Sequence, residues 1–265
     1  MEGIASILAH MPMAGMANQE EHEKRRVEWT NSRPGKLAGY ECKICMNRGY
    51  MAVLLAGEKA VRDCVCIKIR RSMKMLDRSG LKPLMKKYAL ENYFTPEPWQ
   101  KNIKAKAMDF LKNPEGRWFG ILGQTGSGKT HICTAIAVAL LKMGKPVYYM
   151  LWNTDIKKLR ATVNDGEAHE KEVEKLKKID VLYIDDLFKC KRDSEPSDAD
   201  VRLAFEILNA RYNAQLTTLV SSEYSIDELC SVDAAIAGRL NEMGGRFVTN
   251  VEKNPSRDYR WEGSA

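Results

Sequence analysis

The sequence predicts an α/β protein, with one domain built on a parallel sheet and a small cysteine-rich module ahead of it. Two observations carry this expectation. From Trp118 onward, short apolar runs alternate with amphipathic stretches of helical period, the pattern of strands covered on both faces by crossover helices. Upstream, residues 40–67 hold four of the seven cysteines and show no helical periodicity, which suits a module organised by something other than an apolar core. At 265 residues and 44% hydrophobic, the chain can bury one full-sized core with a small satellite beside it.

The elements follow in order. Residues 1–39 are polar and end in the loop-like NSRPGKLAG; a flexible segment is predicted, with at most a short helix around Ile4–Leu8. Met11, Met13 and Met16 suit either docking into an apolar groove or a solvated tail. Within 40–67, YECKICMNRGY and RDCVCIK place Cys42, Cys45, Cys64 and Cys66 as C-x2-C, eighteen residues, then C-x-C. A knuckle turned at Gly49 presents two thiolates to one tetrahedral Zn²⁺, and the second pair closes the site; reduced cysteines in a minor core are the alternative. Cys133, Cys190 and Cys230 are scattered, and His22, far upstream in a charged run, reads as solvent-exposed. Residues 68–98 form a basic linker with eight Lys or Arg and one acid between Lys68 and Lys87. Ile69, Met73 and Leu76 recur at helical spacing, so this basic face is either solvated or a nucleic-acid contact.

After the breaker TPEP, residues 99–265 make the α/β domain. Its strands are WFGIL (118–122), VYYML (147–151), VLYI (181–184), TLVSS (218–222) and RFVTNV (246–251). The net charge of +7 leans toward an anionic partner. Glu2 stands where a signal peptide would be basic, His10 and Pro12 break the first apolar run, and no longer apolar span follows, so a cytoplasmic protein without a membrane partner is expected.

The chemistry sits at the ends of two strands. GQTGSGKT comprises Gly123, Gln124, Thr125, Gly126, Ser127, Gly128, Lys129 and Thr130, and it joins an apolar strand to the apolar helix HICTAIAVALL. Glycines there let backbone N–H groups turn inward around phosphate oxygens, and the helix N-terminus adds positive potential. Lys129 is expected to reach the β and γ phosphates of ATP, and the Thr130 hydroxyl to bind Mg²⁺. In VLYIDDLF, Asp185 ends a buried strand and is expected in the Mg²⁺ shell; Asp186 is the candidate that orients and deprotonates the attacking water. One strand, VYYML, intervenes between the two motifs, an order found in P-loop ATPases that do mechanical or assembly work.

With GQTGSGKT, VLYIDDLF, TTLVSSEYSIDEL and AAIAGRL in this order, the chain resembles the AAA+ ATPases that load the replicative helicase, the DnaC/DnaI-like family, and the prophage-type loaders within it. The likeness runs from about Cys42 to the C-terminus and includes the cysteine pairs and FTPEPWQKN. It implies a five-stranded AAA+ core without a full helical lid, since fourteen residues follow the last strand. It implies an ATPase whose partners are a helicase hexamer, gripped by the zinc module, and single-stranded DNA. It gives Arg239 in AIAGRL the role of an arginine finger reaching a neighbouring subunit's ATP, and hence self-association. The sensor position falls at Ser222 or Glu223, where the family usually has a small polar residue; a glutamate there would repel the γ-phosphate. Asp186 replaces the more usual Glu, which suits slow hydrolysis. Lys157, Lys158 and Arg160 in TDIKKLRATV are the candidates for DNA contact. Alternatives are an IstB-like transposition helper, for which the cysteine module is out of place, and a zinc adaptor that keeps ATP as a structural ligand. A small-molecule kinase fits poorly, because nothing resembles an acceptor pocket or mobile lid.

Overall fold

The computed structural model describes residues 14–78, 85, 87–162, 165–190 and 194–258. Two compact units divide at Arg70 and Arg71. The expected short helix at Ile4–Leu8, Met11 and Met13, and residues 79–84 and 86 of the basic linker lie outside the described residues.

The first unit contains helix α1, Ala14–Ser32, and an antiparallel hairpin of β1, Tyr50–Leu55, and β2, Glu58–Asp63. The long helix differs from the loop-like segment expected of this polar stretch. Its support is local charge pairing, Glu20 with Lys24 at 2.9 Å and Glu23 with Arg26 at 2.6 Å, together with the hairpin. The Asn31 amide exchanges hydrogen bonds with the Ala52 backbone at 2.9 and 3.1 Å, and Lys59 Nζ donates to Thr30 Oγ1 at 2.6 Å. These partners come from residues more than twenty positions away, so no periodicity within the stretch signals them. Helix α2, Cys66–Arg78, follows; its Ile69 is buried, and Arg70 donates to the carbonyls of Ala38 and Tyr40 and to Asn47. That part of the basic run is thus tied into the first unit rather than solvated.

In the second unit α3, Pro98–Lys112, starts at a capping box between Glu97 and Gln100 with Pro98 at its first position. Then come β3, Trp118–Gly123; α4, Lys129–Lys142; β4, Val147–Leu151; α5, Trp152–Ala161; α6, Gly166–Lys178; and β5, Val181–Asp185. The remainder is α7, Asp198–Asn213; β6, Thr217–Ser222; α8, Ile226–Val232; α9, Ala234–Gly244; and β7, Val248–Val251. Strand order is β4-β5-β6-β3-β7 with every pairing parallel. All five expected strands form. The last is shorter than RFVTNV, because Gly245–Phe247 make a 3-10 turn that puts Phe247 edge-on to Phe110 at 5.4 Å.

Strand β3 is buried along its whole length. Trp118 and Leu122 face Ile207 of α7 and Leu240 of α9 in one core cluster, while Phe119 points oppositely, onto Phe110 of α3. The ends of β3 and β5 therefore project loops from a rigid layer, the usual location of ligand sites in open α/β sheets.

Arg211 of α7 is fully buried, its guanidinium held by backbone and hydroxyl oxygens. Its Nη1 donates to Leu176 and Ile179 carbonyls at 2.9 and 2.8 Å, Nη2 to Thr217 O at 2.6 Å, and Nε to Thr218 Oγ1 at 3.0 Å. One fork thus satisfies the end of α6 and the start of β6 together. Replacing it in Arg211→Met leaves these acceptors dry, so urea unfolding is expected to show a loss of about 3 kcal/mol; a loss under about 0.5 kcal/mol would contradict this account.

Candidate nucleotide and metal sites

The loop after β3 is shaped by glycines at strained positions. Gly123 has φ 92°, and a Cβ there would lie 2.1 Å from Val251 O; Gly126 and Gly128 have φ 76° and 83°. The turn delivers Lys129 into α4, where its Nζ donates to Gly123 O at 2.9 Å and Gln124 O at 2.7 Å. Burial lowers the pKa of this ammonium, which remains poised over the loop that a phosphate would enter.

Asp185, 2% exposed, ends β5 beneath the loop. Its Oδ1 accepts from Ser221 Oγ at 2.5 Å and Thr130 Oγ1 at 3.2 Å, and its Oδ2 from Tyr149 OH at 3.0 Å. Burial raises its pKa and the Asp186 charge adds to that, whereas the Ser221 and Tyr149 hydroxyls oppose the rise. A carboxylate and a hydroxyl this close can share a divalent cation. Asp186, in left-handed backbone at φ 57°, donates its N–H to Ser221 Oγ at 2.9 Å and turns its carboxylate into the cavity.

That cavity, of about 690 Å³, is lined by Lys129, Thr130, Asp186 and Glu223 and is large enough for a nucleotide. Its other wall is aromatic and comes from the end of the segment expected as a basic linker. Tyr88 stacks on His131 at 4.8 Å between ring centroids, Tyr93 meets the same ring edge-on at 5.2 Å, and Phe94 lines the mouth. The available signal was YALENYF, three aromatics in seven residues upstream of a helix. Such a wall can stack a purine base.

One expected site residue falls elsewhere. Ser222 does not reach the cavity: its Oγ donates to Leu187 O at 2.8 Å and accepts from Tyr224 N at 3.2 Å. Side chains alternate along β6, so its neighbour Ser221 faces Asp185 instead, and Glu223 takes the cavity-lining place. Arg239 lies on α9, bonded to Asn209 Oδ1 and Ala235 O at 3.0 Å each and resting over Phe205, away from this chain's own cavity lining. The three candidates for DNA contact, Lys157, Lys158 and Arg160, are all exposed; Lys158 pairs with Asp155 at 2.6 Å and Arg160 with Asp200.

In the first unit the four cysteine sulfurs lie within 4.8 Å of one another, all buried. Cys42 and Cys64 are 3.8 Å apart and Cys45 and Cys66 3.5 Å, near the roughly 3.8 Å edge of a tetrahedron of thiolates around Zn²⁺. The Gly49 N–H donates to Cys45 Sγ at 3.3 Å, as a knuckle requires. The donor set therefore fits zinc. His22 is exposed beside Glu23 and outside this cluster. Among the described residues, no helix is long and apolar enough to cross a membrane.

Comparison with known proteins agrees with this geometry. The family described as IstB-like ATP binding protein matches residues 41–239. XkdC of the Bacillus subtilis phage-like element PBSX is 30% identical over 224 residues, 80% of this chain and 83% of XkdC. YqaM, an uncharacterized B. subtilis protein, is 30% identical over 201 residues, 72% of this chain and 63% of YqaM. The replicative helicase loader DnaC of Escherichia coli K12 is 31% identical over 143 residues, 51% of this chain and 58% of DnaC. The match thus spans under two thirds of YqaM and of DnaC. Among solved structures, the DnaC helicase loader superposes with TM-score 0.51 at 23% identity, covering 64% of this chain and 98% of that one. AMPPCP-bound DnaA from Aquifex aeolicus gives 0.52 at 21%, covering 63% and 50%. At these identities the likeness is one of fold.

Proposed function

The chain belongs to the IstB-like ATP-binding family, is DnaC-like within it, and from that premise we propose that it is an ATPase that loads a replicative helicase hexamer onto single-stranded DNA. The observation that carries this reading is the 31% identity to a replicative helicase loader over 143 residues, in a chain with a complete phosphate loop. The transposition-helper alternative draws on a putative insertion-sequence ATP-binding protein of Sinorhizobium fredii, 28% identical over 103 residues, 39% of this chain and 33% of that protein. That is a shorter and weaker match. The IstB-like family match begins at residue 41 and so includes the cysteine cluster, which leaves the length and identity of the loader match to favour the loader.

In this reading the loop Gly123–Thr130 wraps the phosphates of ATP and Lys129 leaves the Gly123 and Gln124 carbonyls to neutralise them. Thr130 and Asp185 are the residues that would hold Mg²⁺, which would supply positive charge to offset that of the phosphates. Asp186 orients the attacking water and takes its proton. Arg239, exchanging Asn209 for a phosphate, completes the site of a neighbouring subunit, so hydrolysis reports assembly. ATP and ADP then favour different assemblies through their differential contacts with this edge. The four cysteines hold Zn²⁺ and so set the shape of the first unit.

Three outcomes are expected. Light scattering after size exclusion of the chain mixed with its host's helicase shows a defined complex that depends on nucleotide and is lost in Lys129→Ala. No complex in any nucleotide state, with hydrolysis intact, would favour the helper reading. Arg239→Ala abolishes assembly-stimulated hydrolysis, a loss of about a hundredfold or more, while ATP affinity is retained; loss of binding would sink the finger assignment. Elemental analysis of unchelated protein gives one zinc per chain, and Cys66→Ser lowers it together with the first unit's thermal stability, whereas metal-free wild-type protein would end the zinc assignment.

A further inference from the structure

The cavity contains a second lysine. Lys189 follows the turn after β5, where Asp186 and Phe188 both have left-handed backbone at φ 57° and 61°. Its Nζ donates to Asp186 Oδ2 and to Glu223 Oε1, at 2.9 Å each, and all three residues line the cavity beside Lys129 and Thr130. The three side chains are between 19% and 32% exposed, so the bridge is partly withdrawn from water rather than a surface pair. Its base is fixed as well, because the Asp186 N–H is held by Ser221.

Glu223 poses an electrostatic problem for a phosphate site. It lines the same cavity as Lys129, so its carboxylate faces the same ligand. A carboxylate beside a polyphosphate repels it unless a cation lies between them. Burial works against charge on both Lys189 and Glu223, yet the bridge holds the lysine above and the glutamate below its ordinary pKa. The pair therefore stays ionised, and the cation is already in place.

We propose that Lys189 makes this cavity discriminate a nucleoside triphosphate from a diphosphate, by cancelling the Glu223 charge and moving from Asp186 onto the terminal phosphate. The inference rests on the nucleotide reading of the cavity. A diphosphate, one phosphate shorter, leaves the bridge to Asp186 closed. A triphosphate draws the ammonium away and frees Asp186 Oδ2 to face water, so recognition of the third phosphate and release of the candidate base are one movement. A lysine suits this exchange because its compact charge rides on a flexible stem.

The test is calorimetric titration of the full chain, with Mg²⁺ present, using ADP and a non-hydrolysable ATP analogue. In Lys189→Met the analogue is expected to bind at least about tenfold more weakly, with ADP affinity held within about twofold. Lys189→Arg should retain most of the preference, and Lys189→Met combined with Glu223→Gln should recover part of what Lys189→Met lost. Equal weakening of both nucleotides, no weakening of either, or a double variant as poor as the single would overturn the proposal. Wild-type protein that bound neither nucleotide would overturn the nucleotide reading along with it, whereas wild-type binding with an unchanged preference in Lys189→Met would overturn this inference alone.

Discussion

Asp185 is the residue on which the site's construction depends. A carboxylate that is 2% exposed is costly to bury charged, and it is retained because hydroxyls from three separate elements donate to it. Thr130 comes from the start of α4, Tyr149 from β4 and Ser221 from the end of β6. Those three donors tie the phosphate loop to both neighbours of β5 in the sheet. Burial outweighs those hydroxyls and raises the pKa of Asp185, so the group lies closer to neutrality than an exposed aspartate and a nearby cation would restore its charge.

Charges in the cavity are arranged as pairs waiting for a ligand. Lys129 rests on two carbonyls of its own loop, and Lys189 bridges two carboxylates. Each cation thus has an internal partner of modest strength that a phosphate can replace, which keeps the site ordered without making it too stable to open. The aromatic wall of Tyr88, Tyr93 and His131 supplies the complementary apolar surface.

The first unit is held on a different principle. Its hairpin is short, β2 is largely exposed, and the four buried sulfurs form a separate cluster joined by Tyr40 and Met51. Burial keeps the Cys66 thiol up at about 12, while at Cys45 the Gly49 N–H and the other thiols overcome burial and bring it down to about 7. The four sulfurs are gathered at one point only in the folded unit, which is why such modules couple metal binding to folding.

The five strands were legible because a strand buried on both faces must be an uninterrupted apolar run, and the runs at 118–122, 147–151 and 181–184 are such. The phosphate loop and the cysteine spacing were legible because glycine conformations and tetrahedral sulfur geometry demand particular residues at particular intervals. What tertiary structure alone decided involves partners remote in the chain. Helix α1 owes its place to Ala52 and Lys59; the aromatic wall exists because Tyr88 and Tyr93 close on His131, some forty residues later. Ser221 rather than Ser222 serves Asp185 because the register of β6 against β5 selects one of two adjacent serines. The sequence determined the residues that the chemistry needs. Which side chains meet, and hence that Glu223 comes with Lys189 to balance it, was decided by the crossing of β5 and β6 loops that no local pattern encodes.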